Sequence, residues 1–313
     1  MKRISDFILI AVAAVMLLSS CSPRETESSV IKIDPDEQAL NFEQTNTVLY
    51  YANETYSMLV GIEAKIDVPV SSSTEYAVLE ALIGGAGNTG DTIRSIINPQ
   101  TKILSVSRYR TSVTVVLSKE FLDWSFIPDT NLDSGNADLI KQLSVYAVVN
   151  SLVESALCQN VQILVDKNGN GSGQRLRENE VGFAGEGVLG PLTRQEGYIL
   201  TSEKTLEQIF MCLSNRDYIG LYDYVANVGA YGEEKPVMNT FVTNMQSMGL
   251  TIENFSIEER TDLSSQSNKI IICSYMISGS SDEKTEYRHV PVRLTRENGL
   301  WKISYEMLEQ IFD

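Results

Sequence analysis

The stretch that most limits what this chain can become is its first twenty-one residues. Met1-Lys2-Arg3 is basic, and Phe7 to Leu18 is an unbroken apolar run that ends in Ser19-Ser20-Cys21. As a helix that run would cover about 18 Å, well short of the roughly 30 Å hydrocarbon core of a bilayer. A basic start, a short apolar stretch and small residues at its end read as a secretory signal. Residues 1–20 are therefore expected to be removed, and the fold has to be built from the rest of the chain, outside the cytoplasm.

Leu18-Ser19-Ser20-Cys21 resembles the lipobox of bacterial lipoproteins. The resemblance implies that Cys21 carries diacylglycerol and holds the mature chain on the outer face of the cell membrane. Losing Lys2, Arg3 and Asp6 takes the formal charge from −16 to −17. An acidic surface repels nucleic acid and anionic headgroups, so membrane contact is expected through the lipid alone and no nucleic-acid partner is expected. Residues 21–43 are polar and without sustained periodicity, and read as a flexible tether.

About 270 residues remain, enough for two domains of ordinary size, and 43% of the chain is apolar. A domain over 44–190 and a second over 200–313 are expected, joined where Gly190-Pro191 interrupts the patterning. Cys158, Cys212 and Cys273 form neither a Cys-x-x-Cys pair nor an even framework. Buried thiols are the expected state, with a Cys212–Cys273 bridge as the alternative.

Thr47–Tyr51 and the alternation Ile62, Ala64, Ile66, Val68 predict two strands. Ser72 and Glu75 have capping-box spacing ahead of a helix that Gly84-Gly85 should stop. Lys102–Tyr109 and Ser112–Leu117 predict a hairpin, 137–157 a long helix, and Asn160–Val165 another strand. From Leu200 onward three helices precede strands near 250–257, 269–277 and 285–304, with Asn298-Gly299 as a hairpin turn. Strands and helices mix without βαβ alternation, so the fold class is α+β.

Leu49–Glu54, Ala77–Gly84, Pro99–Val106 with Val113–Phe121, and Gln142–Leu152 with Val161–Val165 form an ordered set of four stretches. Together they resemble the GerMN domain of sporulation and spore-germination lipoproteins in Gram-positive spore-formers. Ser151 stands where the family usually has Thr, and the glycine that usually follows the last strand is displaced into a longer loop. The resemblance implies a ring-building-type mixed α/β domain that binds envelope partners or self-assembles, with no catalytic residue and no cofactor. The second half resembles an NTF2-like cone by element order and its terminal Asn298–Ser304 hairpin, an analogy of fold alone.

Residue chemistry names few sites. His289 is the sole histidine, in a strand without a catalytic motif, and reads as structural. Asp166, Asn168 and Asn170 hold the first, third and fifth positions of a calcium loop, but position twelve is Arg177 and a strand precedes it. A flexible turn is the expectation and a weak calcium site the alternative, so the metal question stays open. On the long helix Leu143, Tyr146 and Val153 should face the sheet. Val145 and Val148, amid Ser144 and Ser151, would then form an outward docking stripe unless a loop or the second domain covers them. The expected function is a non-enzymatic, lipid-anchored assembly protein. The rival is a ligand-binding or hydrolytic lipoprotein with its site in the cone.

Overall fold

The computed structural model describes residues 42–85, 92–128, 136–156, 158–229, 232–258, 267–279 and 284–312. The signal, Cys21, the tether up to residue 41 and the loop 129–135 lie outside the described residues.

Strand β1 (Phe42–Asn53) pairs antiparallel with β2 (Leu59–Pro69) along its length and with the short β3 (Ile93–Arg94) at one end, in the order β2-β1-β3. Helix α1 (Thr74–Gly84) begins at Ser73, whose hydroxyl accepts the Tyr76 N–H at 3.2 Å, and stops at Gly85 with φ 91°. The cap is therefore one residue later than Ser72. Glu75 does not close a capping box. It is buried and takes Arg108 as its partner at 3.1 Å, because a carboxylate removed from water needs a cation more than a cap does.

A second sheet has the order β4-β5-β6-β7: β4 (Ile103–Tyr109), β5 (Ser112–Ser118), β6 (Asn160–Asp166) and β7 (Gln174–Arg175). β5 and β6 run parallel, which demands a long crossover, and helix α2 (Ala137–Ala156) occupies it. Val113, Val115 and Leu117 on β5 and Val161, Ile163 and Val165 on β6 share the buried face.

Helix α2 corrects the one-sided expectation. It packs against β1, α1 and β6 at once. Every residue from Leu143 to Leu152 is buried, including Val145 at 0% and Val148 at 1% exposure. Over these residues the helix has no solvent side, so the Val145/Val148 stripe is core and unavailable to a partner. Its polar residues are matched internally. Ser151 Oγ accepts the Tyr50 N–H at 2.9 Å, and Ser144 Oγ accepts from Trp124 Nε1 at 3.3 Å.

The second half begins with α3 (Ser202–Asn215), capped by Thr201 Oγ1 accepting from the Lys204 N–H. Then come α4 (Tyr218–Asp223) and α5 (Met238–Met248). An antiparallel meander comes next: β8 (Thr251–Glu258), β9 (Asn268–Ser278), β10 (Lys284–Glu297) and β11 (Leu300–Ile303). The β10–β11 turn has positive φ at both Asn298 and Gly299, as a two-residue hairpin of this hand requires. A last helix, α6 (Tyr305–Gln310), was not foreseen.

Two hydrophobic clusters result, one over Leu49–Ile199 and one over Leu206–Ile311, within a single compact unit from Phe42 to Asp313. The space between the helices and the sheet of the second half is filled by Phe210, Phe241, Leu308 and Ile311. The Tyr275 hydroxyl closes it by donating to the Ile311 carbonyl at 3.0 Å.

Candidate functional site

The segment 189–201, expected as a linker, is lashed to the first half. Leu192 exchanges backbone hydrogen bonds with Val161, and the Leu200 N–H donates to the Leu59 carbonyl. Asn150, wholly buried on α2, accepts the Gln195 N–H at 3.0 Å and donates to the Gln195 carbonyl. Tyr198 stacks on Tyr146 at 4.8 Å. Lys204 Nζ reaches back from α3 to the carbonyls of Glu196, Gly197 and Ile199, and burial holds its pKa below the usual lysine range.

Where the two halves meet, a cleft of about 880 Å³ opens. One wall is the outer face of the β1–β2 ribbon, with Asn46, Val48, Gly61, Glu63 and Lys65. The other carries Glu203 on α3, Lys269 on β9, and Arg296, Gly299 and Trp301 at the β10–β11 turn. Three ion-pair groups line it. Arg194 pairs with Glu154 and, at 3.7 Å, with Glu196, and its guanidinium lies 5.8 Å from the Tyr50 ring centroid. Lys269 pairs with Glu203. Arg296 donates to Glu63 at 2.7 Å, to the Gly61 carbonyl and to the Gly299 carbonyl, over the ring of Trp301.

Glu203 shows what these pairs do. Burial pushes its carboxyl up, yet the Lys269 ammonium, its own N–H and Ser202 together hold it below the usual range. Burial raises the Tyr50 phenol against the lowering pull of Arg194. Four acids face four bases in the cleft: Glu63, Glu154, Glu196 and Glu203 against Lys65, Arg194, Lys269 and Arg296. All but Lys65 take part in ion pairs among the described residues. Such a site joins two halves and presents polar surface. None of these residues was named from sequence. The Asn298-Gly299 turn was, but nothing local says that its tip docks on β2.

The residues that were named fall elsewhere. Asp166 accepts the N–H groups of Asn170 and Gly171 at 3.1 and 2.7 Å. Burial would raise its carboxyl, and these amides hold it below the usual range. Its lone pairs are thus committed to the turn, with Asn170 Oδ1 in turn accepting from Ser172 and no carboxylate added by Arg177. No group of three or more His, Cys, Asp or Glu suited to a metal occurs among the described residues. His289 is exposed at a bulge of β10, φ 54°, and lies 3.3 Å from Glu258. Cys158, Cys212 and Cys273 are all free thiols. Burial pushes Cys212 up to about 11 and Cys273 up to about 12, which leaves them protonated and unreactive at neutral pH. No helix among the described residues is long and apolar enough to cross a membrane.

Residues 48–169 match the family model Germane, described as sporulation and spore germination. No curated protein matches the chain. Among solved structures, the chain is similar to the tandem GerMN domains of the sporulation protein GerM from Bacillus subtilis, at 17% identity and TM-score 0.34, over 48% of this chain and 46% of that one. It thus spans about half the length of that tandem protein. The first GerMN domain of the same protein is similar over 39% of this chain and 83% of that one, at 17% identity and TM-score 0.29. A Clostridium perfringens structure named as a lipoprotein is similar over 50% of this chain and 89% of that one, at 16% identity and TM-score 0.28.

Proposed function

With a domain of the sporulation and spore-germination type over residues 48–169 as premise, we propose that the chain is a non-enzymatic assembly protein of the cell envelope. In this reading Cys21 carries the lipid that holds it outside the membrane, and its surfaces bind protein partners during sporulation or germination. The second half serves as an NTF2-like packing module. The observation that carries the reading is the filled interior of that half, where Phe210, Phe241, Leu308 and Ile311 occupy the space a ligand would need.

The test is a capture experiment from membranes of sporulating and vegetative cells, with the wild type and Cys21→Ala side by side. The reading expects a defined envelope partner in the sporulating sample and release of the Cys21→Ala protein from membranes. Hydrolysis of a wall or lipid substrate by the purified chain, with no protein captured, would replace it with the rival enzyme reading.

A further inference from the structure

Strand β2 is the outer strand of its sheet. Its free edge can be read from bonds already described. The carbonyls of Leu59 and Gly61 accept from Leu200 and Arg296, on the side away from β1. Tyr50, opposite Gly61, sends its N–H to Ser151, away from β2. Odd-numbered residues of β2 therefore turn their N–H and C=O outward, since these directions alternate along a strand. Beyond Gly61 these are Glu63, Lys65 and Asp67, all exposed. Among the described residues, nothing bonds the outward backbone groups of Lys65 or Asp67.

From this geometry we infer that β2 pairs with β2 of a second copy, antiparallel about a two-fold axis at Ile66. In that register Lys65 lies opposite Asp67 of the second copy and Asp67 opposite its Lys65, both as hydrogen-bonded pairs, with Ile66 facing Ile66 between them. The occupant follows from charge. Lysine on an edge strand ordinarily blunts it, but an acid and a base two residues apart complement their own reversed copy. The limits of the ladder fit as well. Pro69 has no N–H and ends it on one side, and on the other Arg296 already occupies Gly61. The result is one continuous sheet made from two three-stranded ones, an isologous contact that closes on itself.

The inference deepens the assembly reading and rests on it only in naming one partner. Sedimentation equilibrium of the full chain in density-matched detergent tests it. Wild type should sediment at twice the chain mass. Lys65→Asp and Asp67→Lys each set like charges opposite and should weaken the dimer about tenfold or more. The double variant restores opposite charges and should restore the dimer. Both side chains are exposed, so melting temperatures should stay within a few degrees and serve as the folding control. A monomeric wild type, a dimer indifferent to either reversal, or a double variant that fails to recover while still folded overturns the inference. A monomeric Lys65→Asp protein that still captures an envelope partner would leave the assembly reading standing, so the two can fail separately.

Discussion

At the scale of single residues, Arg296 does the most to hold the halves together. One guanidinium satisfies the Gly61 and Gly299 carbonyls and Glu63 while lying over Trp301. Arg296→Ala leaves the Gly61 carbonyl without its donor and should cost about 1–3 kcal/mol in denaturant unfolding. Arg296→Lys should recover only part, because an ammonium cannot reproduce the planar fork. Glu63→Gln should change little, since Glu63 is half exposed. Glu203 gives a signed pH effect. Its folded pKa is depressed below the ordinary glutamate value, so its contribution is present above that value and is lost as pH falls through the folded pKa. Lys269→Met should therefore lower the melting temperature at pH 7, and the difference from wild type should shrink as pH drops below the carboxylate range.

At the scale of elements, α2 decides the fold of the first half. Val145→Glu or Val148→Glu places an unpaired charge in a fully enclosed helix and should cost about 4 kcal/mol or more, a collapse of the melting transition. The sequence made the existence of α2 plain but not its environment. Ser144 and Ser151 look like a solvent face in one dimension, whereas Asn150 falls on the side expected to meet the sheet. They are buried because Trp124, Gln195 and Tyr50, each distant in sequence, supply their hydrogen-bond partners. The hairpins at Arg110-Thr111 and Asn298-Gly299 were legible because their signals are local: a short polar link in the first, and a two-residue turn in the second. The cleft was not, because its charges come from five separate stretches of chain and each alone resembles ordinary surface. The ties of the segment 189–201 to the first half were hidden for the same reason. Gly190-Pro191 reads as a boundary, while the bonds from Leu192, Gln195 and Leu200 are long-range. Asn150→Ala should cost about 2 kcal/mol and make 189–201 the first site of limited proteolysis; in the wild type that segment should resist.

At the scale of the whole molecule, the halves are expected to unfold as one. Their cores are separate, but the lashed segment and the Arg296 contact cross between them. A calorimetric scan should show a single transition in the wild type, and Arg296→Ala should divide it in two. A consequence of where β1 stands concerns force. The chain enters the described structure at Phe42, the first residue of β1, and that strand is flanked by β2 along its whole length. A pull on Phe42 along the axis of β1 loads the ladder to β2 in shear, all rungs together, instead of peeling it one rung at a time. The grip of β1 then sets how much tension the body bears before it gives way, as the longest splice in a rope sets what the rope can hold.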